Sequence, residues 1–274
     1  MSHPRATLDL LGAAARKSLS QNFLLSPHWA EKLSSAALDI PADAVWEIGP
    51  GLGALTRPLL EKAKVPVTLF EYDRKLAAHL RETYPAIDLR EGDVLDQDLA
   101  ALAGGQRISV LSNLPYHLSS AILFRLAELP TPPVQMVLTF QREFAQRVNA
   151  KVRTPAYGSM SILLQLQFEI ESLGVLPPGA FYPAPDVDSE ALVFRPRGPH
   201  VTPGFRKLVR GAFQQRRKKL TGNLKKALPG EPTEEVLEKM GVDPNARAEE
   251  LSPEQYRTLG QALGLFVAEP SREV

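Results

Sequence analysis

Glu47-Ile48-Gly49-Pro50-Gly51-Leu52-Gly53 is a glycine-rich turn, Glu71 follows about twenty residues beyond it, and Asp93 lies further on in Glu91-Gly92-Asp93-Val94-Leu95. Glycines allow a tight turn and a close approach of backbone to a ligand. An acid at Glu71 would accept hydrogen bonds from both hydroxyls of a ribose. Asp93 could accept one from an adenine amino group. Taken singly, the turn has a purely steric explanation and each acid could be a solvated loop residue. The series of glycine turn, acid, acid after successive strands reads as an adenosine pocket.

A related turn serves dinucleotide dehydrogenases, but two details oppose that use. Pro50 offers no N–H to a pyrophosphate, and no lysine or arginine occurs between Glu47 and Thr56 to meet phosphate charge. A ligand with an uncharged linker fits better. S-adenosylmethionine joins adenosine to a methionyl zwitterion, and a Glu47 carboxylate near its amino group would be favourable. The cofactor contacts expected here are Glu47, Gly49, Gly51, Glu71 and Asp93.

Asn113-Leu114-Pro115-Tyr116 is the most informative tetrapeptide. An aryl amine such as adenine N6 is a poor nucleophile because its lone pair is delocalised into the ring. The Asn113 side-chain carbonyl and the backbone carbonyl of Leu114 or Pro115 can accept both amine hydrogens, drawing the nitrogen toward tetrahedral geometry and aligning its lone pair. Proline keeps this backbone extended. Tyr116 would stack on a base turned out of its helix or loop, an interaction worth about 1 to 3 kcal/mol. Phe181, in the stiff loop Phe181-Tyr182-Pro183-Ala184-Pro185-Asp186-Val187-Asp188-Ser189, could cover the opposite face. His117 is a surface or packing residue, because a methylated ammonium loses its proton to water unaided.

These residues need a scaffold that gathers strand ends. Short β-rich runs at 45–48, 67–70, 87–90, 108–111 and 134–138 alternate with helix-like segments, such as 54–62, which predicts parallel strands with crossover helices. Ligands bind beyond the carboxyl ends of such strands. Two further strands, 169–176 and 189–194, form a hairpin around the proline-rich loop. After residue 197 the pattern becomes helical, at 204–213, 218–228, 233–240 and 253–263. Thr233 and Ser252 are the expected caps of the last two helices. The fold expected is α/β, a Rossmann-like class I methyltransferase sheet in residues 1–197 with a small all-helical domain in residues 198–274.

Composition narrows the function further. The 274 residues carry no cysteine, which excludes thiolate metal sites, disulfides and cysteine nucleophiles, and five scattered histidines predict no metal site. No segment is apolar for long enough to span a bilayer, and the N-terminus lacks a signal-peptide core, so a cytoplasmic protein without membrane partners is expected. The net charge of +1 conceals a basic stretch without acids, which includes Arg206, Lys207, Arg210, Arg216, Arg217, Lys218, Lys219, Lys225 and Lys226. Such a run is usually a solvated helix face, yet here it could meet a polyanion.

With these motifs in place, the sequence resembles the KsgA (RsmA) type of ribosomal RNA adenine N6-dimethyltransferases over nearly its whole length. Ser20-Gln21-Asn22-Phe23-Leu24, Glu47 to Gly53, Asn113 to Tyr116 and Phe181 to Ser189 carry the resemblance. It implies that the Gln-Asn-Phe-Leu segment folds over the cofactor, with contacts from Asn22 and Leu24, and that Gly49, Glu71, Asp93 and Asn113 occupy the remaining cofactor positions. The implied substrate is a pair of adjacent adenosines in the 3′-terminal hairpin of small-subunit (16S) ribosomal RNA, each receiving two methyl groups. The resemblance also implies a role in biogenesis of the small subunit, with the immature subunit as partner and a monomeric enzyme. Lys17-Ser18-Leu19-Ser20 departs from the commoner Lys-Arg-Phe-Gly entry to the first motif. Two other functions share these features: an enzyme methylating adenine of large-subunit RNA, and a non-catalytic assembly or transcription factor on the same fold.

Overall fold

A strand buried on both faces reads as a nearly continuous apolar run, and crossover helices supply the cover. The computed structural model, which describes residues 4–12, 21–198 and 201–266, follows this logic. After a two-residue β1 (Phe23–Leu24), the apolar runs form β2 (Ala44–Ile48), β3 (Val67–Glu71), β5 (Ile108–Asn113) and β6 (Gln135–Gln141), while β4 (Asp88–Glu91) is a polar, mostly exposed edge strand. They are followed by β7 (Phe168–Leu176), the short β8 (Phe181–Tyr182) and β9 (Ser189–Pro196). One seven-stranded sheet runs in the order β4-β3-β2-β5-β6-β9-β7. Strands β4 to β6 pair in parallel, and β9 is antiparallel to β6. The chain winds outward in opposite directions from β2 and β5, so a crevice opens at their carboxyl ends.

The expected strands are all present, with one consequential difference at their ends. β5 continues to Asn113 and β6 to Gln141. Asn113 is therefore the last ladder residue of β5, paired with Thr139, rather than the first residue of a loop.

Helices α1 (Pro4–Leu10), α2 (Pro27–Ala36), α3 (Thr56–Lys62), α4 (Arg74–Thr83), α5 (Leu99–Ala103) and α6 (Ser119–Ala127) belong to this part of the chain, and α7 (Arg142–Val148) follows β6. Pro27 starts α2 with Ser26 as its cap. Leu33 of α2, Leu59 of α3 and Leu55 just before it bury against Val45, Leu69, Leu111, Val137 and Val193, the sheet residues of one face. These residues form one continuous core on that face.

The chain divides into two compact units, Met1–Ala145 with Glu171–Arg195, and Gln146–Ile170 with Pro196–Val274. The second unit is made of α8 (Ser159–Gln167), α9 (Pro203–Ala212), α10 (Leu220–Ala227), α11 (Thr233–Lys239) and α12 (Pro253–Ala262). The break at 195/196 lies beside the boundary expected from sequence, but residues 146–170 group with the C-terminal helices. The cause is α8, whose Ile162, Leu163, Leu164 and Leu166 are all buried and which packs on α9 and α12. Gly211 lets α9 and α10 close together, since a Cβ there would lie 2.2 Å from that of Ala227. Ser252 caps α12 as expected, with Gln255 completing a capping box. Thr233 instead is the first helical residue of α11 and is buried, because Pro232 occupies the cap. Among the described residues no helix is long and apolar enough to cross a membrane.

Candidate active site

The carboxyl ends of β2, β3 and β5 open into a cleft of about 820 Å³, within the range typical of small-molecule sites. Its lining includes Asn22, Leu24, Gly49, Gly51, Glu71, Asp93, Asn113, Leu114, Pro115 and Tyr116. Residues far apart in the chain thus converge around one cavity.

The turn after β2 is held by Gly49 N–H on the Phe70 carbonyl at 2.8 Å and Gly53 N–H on the Pro50 carbonyl at 2.9 Å. Gly49 and Gly51 adopt φ of +67° and +60°, where a side chain would be strained. A Cβ at Gly49 would point into open space, whereas one at Gly51 would meet the Phe23 ring at 3.2 Å. Phe23 therefore lies tightly on the turn, and the Gln21–Leu24 segment forms one wall of the cleft. Ser20 and residues 17–19 lie outside the described residues.

Glu71, the last residue of β3, accepts Gly51 N–H on Oε2 at 3.0 Å and Asp73 N–H on Oε1 at 2.8 Å. Burial raises its pKa above the ordinary carboxylate value, and the N–H donors oppose the rise. Tyr72 N–H also acts on this carboxylate, which keeps acceptor capacity for a ligand hydroxyl. Asp93 caps the short turn Val94–Asp96 through Oδ1 on Leu95 N–H at 2.9 Å.

Asn113 uses both ends of its carboxamide. Nδ2 donates to the Asn22 backbone carbonyl at 2.9 Å, and Oδ1 accepts the Thr139 hydroxyl at 2.5 Å. Of the two backbone carbonyls considered for the amine, that of Pro115 already accepts Leu118 N–H at 3.0 Å and the Ser119 hydroxyl at 3.2 Å. This leaves the Leu114 carbonyl as the better backbone partner. Tyr116 is half-buried, and its hydroxyl shares a 2.6 Å hydrogen bond with that of Ser189. Burial raises the phenol pKa, which the Ser189 contact partly offsets. His117 lies exposed at the cleft rim.

Glu47 and Phe181 do not line the cleft, and strand alternation explains both. On β2, the period-two alternation puts Glu47 on the face of Val45, opposite Leu69 and Leu111. There its carboxylate is 1% exposed, and the Thr56 hydroxyl beside it is too poorly placed to satisfy either oxygen. Burial raises its pKa to about 8, with Thr56 lowering it and the charge of Glu71 adding to the rise. The expectation that Glu47 meets a ligand ammonium is corrected accordingly. Phe181 pairs through β8 with Leu24 of β1, and its ring joins the core at 2% exposure. It forms no clamp with Tyr116.

The cleft fits S-adenosylmethionine on its own features. Gly49 opens a space against backbone, the Glu71 carboxylate faces the cavity, and apolar Phe23, Ile48, Phe70 and Val94 flank them. Sequence reasoning did not single out Thr139, and it quoted Ser189 without a role. Their signal is cross-strand adjacency, which no short motif carries. Among the described residues no cluster of metal-ligating side chains occurs.

In the second unit, α9 buries Phe205, Leu208 and Val209 and leaves Lys207 and Arg210 exposed. Arg217, Lys218 and Lys219 are exposed as well. Arg216 differs, because its guanidinium donates to the carbonyls of Pro155 and Tyr157 at 3.1 and 3.0 Å. It serves first as a clip between two loops.

The model of the family described as ribosomal RNA adenine dimethylase matches residues 12–263. The chain is similar to a curated ribosomal RNA small subunit methyltransferase A from Geobacter metallireducens, with 37% identity over 266 residues, 92% of this chain and 96% of the relative. A protein of the same name from Bacillus thuringiensis is 37% identical over 283 residues, covering 96% of this chain and 97% of the relative. Among solved structures, a dimethyladenosine transferase from Plasmodium falciparum superposes with a TM-score of 0.75 at 25% identity, over 89% of this chain and 98% of that one. The 23S rRNA methyltransferase ErmE gives 0.67 at 28% identity, over 89% and 100%.

Proposed function

From the premise that this chain belongs to the ribosomal RNA adenine dimethylase family, we propose that it dimethylates N6 of two adjacent adenosines in the 3′-terminal hairpin of small-subunit ribosomal RNA. S-adenosylmethionine, when bound, supplies an electrophilic sulfonium methyl group. The observation that carries the proposal is the convergence of Gly49, Glu71, Asp93 and Asn113 on one cavity. Glu71 holds the ribose hydroxyls, Asp93 the adenine amino group, and the glycine turn with Asn22 and Leu24 encloses the remainder. Asn113 Oδ1 and the Leu114 carbonyl accept the target amine's hydrogens, and Tyr116 stacks on the base. Pro115 keeps the two acceptors apart on extended backbone.

Arg206, Lys207, Arg210, Arg217, Lys218 and Lys219 meet RNA phosphates, with Arg216 bracing the same region. The enzyme works as a cytoplasmic monomer on the immature small subunit, where it also contributes to ribosome biogenesis. The large-subunit alternative has support in the likeness to ErmE. The curated relatives named for the small subunit, at higher identity over nearly the full chain, favour the reading given. A non-catalytic factor would have no use for an adenosine pocket.

The test is transfer of labelled methyl groups to purified 16S RNA, immature small subunits and 23S RNA. Label in small-subunit RNA that maps to adjacent dimethyladenosines supports the proposal. Label confined to 23S RNA overturns its substrate, and no label in any RNA overturns the activity. Tyr116→Ala should lower turnover more than cofactor affinity.

A further inference from the structure

The ladder between β5 and β6 sets Asn113 directly opposite Thr139, and the Thr139 hydroxyl donates to Asn113 Oδ1 at 2.5 Å. From the other side the Asn22 carbonyl accepts from Asn113 Nδ2 at 2.9 Å. These contacts decide which way the carboxamide faces. Turned over, Oδ1 would oppose the Asn22 carbonyl oxygen, two acceptors with no proton between them. The torsion that orients a carboxamide is otherwise broad, so without partners the group would sample many directions. Thr139 is 1% exposed and carries a single hydroxyl proton, which this bond commits. Of the two lone pairs on Oδ1, Thr139 occupies one and leaves one.

We propose that Thr139 is a positioning residue for methyl transfer, holding the Asn113 carboxamide so that its remaining Oδ1 lone pair faces the target amine. The proposal rests on Asn113 being the amine's acceptor. Donation from Nδ2 to Asn22 strengthens the same carbonyl as an acceptor, so the Asn22 backbone and the Thr139 hydroxyl act on one group from two sides. The geometry must be held closely, because misplacement of a reacting group by an ångström can cost orders of magnitude in rate. Thr139 itself is not among the cleft-lining residues. Its effect runs through Asn113.

Single-turnover methyl transfer to small-subunit RNA at saturating cofactor tests this. Thr139→Val keeps the branched shape and removes the donor; its rate should fall about tenfold, the loss of one hydrogen bond in the transition state. Affinity for S-adenosylhomocysteine and the KM for RNA should stay within about twofold, a split that general loosening of the sheet does not produce. Thr139→Ser, which retains the hydroxyl, should recover most of the rate. In an Asn113→Ala background, Thr139→Val should cause no further loss.

A wild-type rate for Thr139→Val beside an impaired Asn113→Ala overturns the proposal and leaves the assignment of Asn113 standing. Additive losses in the double variant also overturn it. Asn113→Ala at the wild-type rate removes the assignment beneath it. Should Thr139→Val fail to fold, Thr139→Ala is the second hydroxyl-free variant, with the same expected loss and the same overturning result.

Discussion

Glu71 Oε2 accepts the backbone N–H of Gly51 at 3.0 Å, so the acid at the end of β3 is tied to the glycine turn after β2. The other oxygen takes Asp73 N–H at 2.8 Å, and the Glu71 carbonyl takes Gly92 N–H at 2.9 Å. One residue thereby joins the ends of three strands. It shapes the turn and remains able to accept from a ligand.

Replacement of Glu71 should accordingly damage the turn and the pocket together. Glu71→Ala should weaken S-adenosylhomocysteine binding by about 10- to 100-fold, the loss of one or more hydrogen bonds to a charged acceptor. Glu71→Gln should be nearly as harmful, since its amide NH2 must face one of the two N–H donors. Titration calorimetry decides, and an affinity for Glu71→Gln equal to wild type would contradict the bridging role.

Tyr116 and Ser189 form a second pair, 2.6 Å apart between the tetrapeptide motif and the start of β9. Ser189→Ala and Tyr116→Phe should each reduce turnover by roughly three- to tenfold, the range of one neutral hydrogen bond. Combined, they should cost little more than either alone. Additive effects in the double variant would show that the two hydroxyls act separately.

Glu47 gives a pH signature. Burial raises its pKa to about 8, so the folded chain holds a proton that the unfolded chain releases near the ordinary carboxylate value of about 4.3. The resulting stabilisation is present below that value and is lost as pH rises toward 8. Glu47→Gln, uncharged at every pH, should become progressively more stable than wild type between about pH 4.5 and 8. Melting temperatures of the ligand-free proteins across that range provide the check; a constant difference would mean that Glu47 is ionised throughout.

The basic residues of the second unit should separate into two behaviours. Arg216→Ala removes two hydrogen bonds to loop carbonyls and should lower the melting temperature by a few degrees, about 1 kcal/mol of stability. Lys218→Gln and Lys219→Gln should leave melting unchanged, weaken RNA binding, and each reduce the slope of log affinity against log salt by about one. Filter binding at several salt concentrations distinguishes them. An unaltered slope in the lysine double variant would remove this face from the RNA interface.

Much of the parallel sheet was legible in the sequence, because apolar runs ending at Glu71 or before Gly49 state both the strand and its carboxyl end locally. Harder to see was α8, whose buried residues Ser161, Ile162, Leu163, Leu164, Leu166 and Gln167 run almost consecutively and give no clean helical period. Segments 21–24 and 181–182 stood out as separate motifs. Nothing local told that they pair, Leu24 with Phe181 and Phe23 with Tyr182.

By itself the sequence determined the residue chemistry, the order of the strands and the acids at their ends, since these depend on spacing along a chain of known periodicity. Only the tertiary structure decided that Glu47 and Phe181 turn into the core, that the Pro115 carbonyl is already engaged, and that Thr139 and Ser189 hold Asn113 and Tyr116. Each of these depends on register and burial between segments distant in sequence. A one-residue change of register would reverse every side chain's face while leaving the motifs unaltered.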